Sequence, residues 1–305
     1  VGPQLSVFMS QINSVSAIAA NKRVGLPAWM ERVPARMDRA AEKWDSESVH
    51  DLRVALRRCR AMAEALNEVN PDPGWRKVKK STRRLFHALG SVRDTQVERG
   101  WVKKLAPPRE PLRTHLLRLL SRREKERRDN AREALDDFSP KEWKRLSHKL
   151  ERKAELFPLE SVVFQRVALA KLQEARELLS RARERSSAKA WHNVRIALKH
   201  FRYVAENFLP RRYELWAADL KSLQDLLGEV HDLDVLRTDV RRNATGSLRG
   251  LLATWLGKIE AERKIRLAEV LAKTTGEGSL LPQWRSGLEI AHMLSATPQL
   301  SRRSA

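Results

Sequence analysis

The segment VHDLRVALRRCRAMAEAL at residues 49–66 returns as WHNVRIALKHFRYVAENF at residues 191–208. Both copies space apolar residues three and four apart, which is one face of an α-helix, and both set cations at matching offsets on another face. Two more segments repeat in the same order. LGSVRDTQV at 89–97 returns as LGEVHDLDV at 227–235, and EKERRDNAREAL at 124–135 returns as EAERKIRLAEVL at 260–271. Offsets of 142, 138 and 136 residues far exceed the roughly 20–50 residues of a solenoid unit. The chain is therefore constrained to two related halves.

Helical periodicity dominates, and no stretch alternates as a strand does. The expectation is an all-α fold of roughly ten helices, most of roughly 15–25 residues, in two antiparallel bundle halves related by an approximate two-fold. Breaks fall at DSES before the first copy, NPDPG at 70–74, APPREP at 106–111 and FSPKEW at 138–143. They combine capping residues with prolines at helix starts. NFLPRRY, RRNATGS and TTGEGS punctuate the later part in the same way. LFPLES places the division near residue 158, giving halves at 25–158 and 159–300, a leader at 1–24 with no assigned role, and a basic tail at 301–305. No run of about 18 apolar residues offers a membrane span. The leader lacks the basic start of a secretory signal. Cys59 is the single cysteine, so an internal disulfide or a Cys-rich metal site is excluded; a reducing compartment and a small core residue fit it.

Charge narrows the partner. Sixty Lys and Arg against 38 Asp and Glu give +22 over 305 residues and a pI near 10.8, a field that attracts polyanions of any kind. On a helical wheel His50, Arg53, Arg57 and Arg60 fall within an arc of about 80° along about 15 Å of axis. His192, Arg195, Lys199 and Arg202 repeat that geometry, with Arg58 and His200 at the edge of each stripe. Like charges at this spacing destabilise a helix. A solvated outer face, the plain reading for one such helix, usually intersperses acids, whereas these stripes contain none. A partner that supplies anions explains both copies.

The next helix carries Arg76, Lys80, Arg83, Arg84 and His87 without an intervening acid. Lys221 stands where Arg83 stands, and His231 where Arg93 stands. Arg127 and Arg128 match Arg263 and Lys264, but Glu124, Glu126, Glu260 and Glu262 lie beside them, so a plain surface helix serves equally there.

Arg offers a planar fork for phosphate oxygens, Lys a point charge and His a donor whose charge follows pH. Rows about 15 Å long on two helices suit an extended polyanion better than one phosphate. Neither glycine-rich phosphate loop is present, so side chains must do the recognition. The His231–Asp232 pair in VHDLD suggests a metal site, but Arg93 at the matched position cannot ligate a cation. Asp94 and Asp232 are read instead as orienting neighbouring arginines. With no nucleophile elbow and no H-E-x-x-H, neither catalysis, metal nor cofactor is expected. Nucleic acid is the second choice of partner. Against it stand two Tyr and seven Phe, too few for a stacking platform. Trp29, Trp44, Trp75, Trp101, Trp191 and Trp216 lie near helix ends or on apolar faces, as packing residues do.

The pattern H-x-x-R-x-A-L-[RK]-x-x-R followed by L-G-x-V-[RH]-D-x-x-V, written twice, resembles the CHAD domain, the conserved histidine α-helical domain. The resemblance spans about residues 25–300. It implies two bundles facing each other across a basic, pore-like central cavity, and non-enzymatic binding of inorganic polyphosphate by His, Arg and Lys side chains. It also implies a cytoplasmic location at polyphosphate granules and, with no fusion partner in the sequence, an isolated domain. The positions that match are His50, Arg53, Arg57 and Arg60, His192, Arg195, Lys199 and Arg202, and Arg83 with Lys221. Arg93 departs from the usual histidine, which leaves a role for charge but none for imidazole.

Overall fold

The computed structural model describes residues 25–296, so the leader and the basic tail lie outside the described residues. A first series of helices comprises α1 Leu26–Lys43, α2 Ser46–Val69, α3 Pro73–Ser81, α4 Arg83–Leu105, α5 Pro111–Asp136 and α6 Pro140–Glu155. A second comprises α7 Val162–Arg185, α8 Ala188–Phe208, α9 Pro210–Asn243, a 3-10 turn Gly246–Leu251, α10 Leu252–Thr274 and α11 Leu280–Ala296. No strand occurs among the described residues, as the periodicity requires. None of the described helices is long and apolar enough to cross a membrane.

The sequence breaks become caps. Asp45 accepts the Ser48 amide at 2.7 Å, Asp72 accepts that of Gly74 at 2.6 Å, and Ser139 accepts that of Glu142 at 3.3 Å. Each satisfies an amide that the first turn leaves without a partner. Helices pair alike in the two series: α1 on α2 as α7 on α8, α4 on α5 as α9 on α10, and α1 on α6 as α7 on α11. One departure stands out. Where the second series runs α9 unbroken, the first is interrupted at Thr82. The Thr82 hydroxyl donates to the Val78 carbonyl at 2.8 Å, and Arg60 donates to the Lys79 carbonyl at 2.6 Å and to Thr82 Oγ1 at 3.0 Å. The Val78 carbonyl thus accepts the Thr82 hydroxyl beside the Thr82 amide, at 3.3 Å, and the Lys79 carbonyl is taken by a side chain. The matched position in α9 is Leu220, fully buried, which offers no such competition.

Apolar packing does not respect the sequence division. One core draws on both series, from Leu26 and Leu56 through Phe164 and Phe201 to Trp284. A second joins Trp101, Val102, Leu112 and Leu116 of the α4–α5 hairpin to Leu233, Leu236, Trp255 and Ile259 of the α9–α10 hairpin. The halves expected to split at residue 158 therefore share both cores, because each α4-like helix buries one face against its counterpart. The LFPLES connection is itself anchored. Glu160 donates its amide to the Phe208 carbonyl at 2.8 Å and accepts the Arg211 amide at 2.8 Å.

Pro34 lies inside α1 and has no N–H for the Met30 carbonyl four residues back. The indole N–H of Trp143, on α6, donates to that carbonyl at 2.8 Å in a fully buried contact. Trp143→Phe is expected to lower stability by about 1–3 kcal/mol, the cost of an unpaired buried acceptor, read as a lower urea midpoint at unchanged helicity.

Candidate functional site: a cationic seam between the two series

Four helices meet at one seam: α2 packs on α8 and α4, α9 packs on α8 and α4. They carry both copies of the two repeated motifs. Arg53 lies within electrostatic reach of Arg57, of Asp94 and Arg93 on α4, and of Tyr203 on α8. Lys199, on α8, lies within reach of Arg195 and, across the seam, of Arg53, Arg57 and Glu64. Asp232 feels Arg195, Asp94 and Arg93. The repeated H-x-x-R arginines, Arg53 and Arg195, therefore each face the aspartate of their own series' L-G motif, and the two aspartates face each other.

The electrostatics follow from that crowding. Burial, then the neighbouring Arg57 and Arg93, lowers the pKa of Arg53 against the opposing pull of Asp94. Burial, then Arg195, lowers that of Lys199, with Arg53 and Arg57 adding to the effect. Burial raises Asp232 to about 6, helped by Asp94 and opposed by Arg195 and Arg93. Depressed cations mark a place where positive charge is in excess and partly dehydrated. Arg57 sits over the Tyr203 ring with its guanidinium carbon 5.7 Å from the centroid. Its Nε is buried and finds no hydrogen-bond partner among the described residues.

Several expected ligands are engaged elsewhere. Arg263 is only 5% exposed; its Nε donates to Asp234 at 3.0 Å, and Glu260 lies 3.9 Å away. It is a buried ion-pair member and no surface cation. Arg58 reaches across the series to Glu206 at 2.5 Å and Asn207 at 3.3 Å, with the Trp29 ring beneath it. Arg60 holds the α3–α4 break, and Arg202 donates to Gln224 at 3.2 Å and to the Tyr213 hydroxyl at 3.3 Å. Arg127 donates to the Ser91 carbonyl and the Thr95 hydroxyl. Arg84 pairs with Glu133 at 2.9 Å and with Asp137, and Lys221 with Asp225 at 2.6 Å. For Arg58, Arg84 and the Arg263–Asp234 pair the acid comes from another helix, which a wheel drawn for one helix cannot show, whereas Asp225 lies one turn from Lys221 on α9 itself.

His200 is half-buried near Glu64, Lys171 and Lys199. His50, Lys80, Arg83 and His87 are exposed on α2, α3 and α4. The set brought together is Arg53, Arg57, Arg93, Arg195, Lys199, His192 and His231. Tyr203 and Glu64 join it without having been anticipated. Tyr203 follows Lys199 by four residues on the same helical face, a spacing that could have placed it there. Two recesses lie apart from the seam: one of about 520 Å³ lined by Leu26, Met62, Phe157 and Phe208, and one of about 400 Å³ lined by Arg99, Glu124, Arg128 and Arg132.

A sequence profile of the CHAD domain matches residues 30–241. The chain belongs to the CHAD family. Every seam residue falls within the matched span. Among solved structures, the crystal structure of the CHAD domain from the plant Ricinus communis is similar, with a TM-score of 0.53 and 26% sequence identity. The match covers 87% of this chain and 89% of that chain. A comparison with curated proteins returns no match. The all-α CHAD fold expected from the doubled motif is thus the fold of this chain.

Proposed function

We propose that this CHAD protein binds inorganic polyphosphate along the seam, without chemically altering it. The observation that carries this is the convergence of Arg53 and Arg57 from α2 with Arg195 and Lys199 from α8, where burial, then Arg195, with Arg53 and Arg57 across the seam adding to it, lowers the proton affinity of Lys199. A row of phosphates relieves that repulsion, and an unpartnered buried donor on Arg57 is suited to a phosphate oxygen. The family's association with polyphosphate binding supports the same ligand. A linear polymer carries a charge on every repeat, so it can extend along the seam from the cations of one series to those of the other. A basic central cavity of the kind the resemblance implies would lie here, and recruitment to polyphosphate granules would follow from the same contacts.

Competition tests the choice of ligand. Long-chain polyphosphate is expected to displace labelled duplex DNA at equal phosphate concentration, with affinity falling steeply as salt rises because several charges are neutralised. DNA binding that equals or exceeds polyphosphate binding at the same ionic strength would favour a nucleic-acid partner instead. Incubation with divalent metals is expected to leave polyphosphate chain length unchanged; shortened chains would make the protein an enzyme.

A further inference from the structure

The second series carries a pair of histidines where the first has His50 and Arg93. His192 on α8 and His231 on α9 face each other, Nδ1 to Nδ1 at 3.2 Å, with ring centroids 4.6 Å apart. Two ring nitrogens at that distance share one hydrogen, so one ring presents N–H and the other its lone pair. The donor ring can take a proton on its far nitrogen and keep the contact, which then becomes charge-assisted. A second proton would set two N–H groups head-on. The pair therefore has room for one added proton.

Its surroundings oppose that proton in the free protein. Arg195 and Lys199 face it from α8, and behind Lys199 stand Arg53 and Arg57 of α2. Asp232 follows His231 on α9 and is itself flanked by Arg93 and Asp94 of α4 and by Glu229. Glu229 is in turn held by Arg266 of α10 at 2.8 Å. Burial, then Arg195, pushes His231 down to about 4, and burial, then Arg195, also lowers His192. A metal reading of the pair has less support. Among the described residues no group of three His, Cys, Asp or Glu side chains forms around it, and Arg195 and Lys199 repel a cation.

We infer that the His192–His231 pair takes up a proton when a polyanion enters the seam, so that binding tightens on acidification. This rests on the polyanion-binding reading of the same seam. Ligand phosphates beside Arg195 and Lys199 turn the repulsion felt by the pair into attraction and raise its proton affinity. By reciprocity, protons then raise the affinity for the ligand. The gain is full at pH below the pair's free value and absent above its value in the complex. If the complex restores an ordinary imidazole value of about 6.5, binding is about tenfold tighter at pH 5.5 than at pH 7.5. Asp232, already high, acts in the same direction, because added anions raise it further.

Calorimetric titration of the full chain with long-chain polyphosphate near pH 6, in two buffers of different ionisation enthalpy, counts the protons. The wild type is expected to take up about three-quarters of a proton more than a His192→Gln/His231→Gln double variant, and to show the steeper rise in affinity between pH 7.5 and 5.5. Subtracting the variant removes the ligand's own end-group titration and the share of Asp232. Equal proton uptake and equal pH slopes would overturn the inference and leave polyphosphate binding intact. Absence of binding by the wild type at every pH would instead remove the binding reading itself. Should the double variant not fold, ring-proton NMR of the wild type decides: a pair that titrates at the same pH with and without polyphosphate contradicts the inference.

Discussion

Replacing Arg53 and Arg195 together by Ala is expected to weaken polyphosphate binding by about 100-fold or more. Each is the H-x-x-R arginine of its series, and the two approach the seam from opposite sides. A charge-assisted contact contributes about 1.5–3 kcal/mol, and about 1.4 kcal/mol is a factor of ten in affinity. Two such losses therefore reach at least about two orders of magnitude. With Arg53 and Arg195 gone, Arg57, Arg93 and Lys199 are the cations left at the seam, so its pull on an incoming anion falls further. Folding is expected to survive, since removing either cation also removes repulsion that the native state carries. The helical far-UV spectrum and the thermal midpoint check that point. Arg53→Lys with Arg195→Lys keeps the charge and loses the planar fork, so an intermediate loss is expected. Unchanged affinity in the double alanine variant would make the stripes ordinary surface.

Arg263→Ala is expected to act on stability instead, lowering it by about 3 kcal/mol, without weakening polyphosphate binding by the folded protein. In sequence Arg263 looks like Arg195, a cation at a repeated position. In the fold it is buried against Asp234, and removing one member of a buried pair strands the other, at a cost of about 3–5 kcal/mol. The lower end of that range applies because Arg237 also reaches Asp234, at 3.0 Å. A denaturant series beside a binding titration separates the two roles. Lost affinity at undiminished stability would return Arg263 to the binding surface.

The contrast between Arg195 and Arg263 marks what could be read without a fold. Most helix positions, caps at Asp45, Asp72 and Ser139, and membership of the CHAD family all follow from short-range spacing and a doubled motif, and these were legible; the break at Thr82, inside the stretch Arg76–His87 read as one helix, was not. The buried Cys59, at 0% exposure, was legible from its apolar face. Partnerships over long sequence distances were not. Arg58 finds Glu206 148 positions away, and Trp143 finds the Met30 carbonyl 113 positions away. No helical wheel contains either partner. The shared cores escaped for the same reason, because amphipathic faces state what must be buried and leave open against which helix. The repeat did carry one long-range message: residues at equal offsets in two related halves met at one seam, with Asp94 and Asp232 beside the arginines they were expected to orient.

A crystal structure grown with long-chain polyphosphate tests the seam most directly. Continuous phosphate density running between α2 and α8, with oxygens in hydrogen-bond contact with Arg53, Arg57, Arg195 and Lys199, is the expected result. Density confined to the α4–α5 recess at Arg99, Arg128 and Arg132, with the seam closed to the polymer, would contradict it.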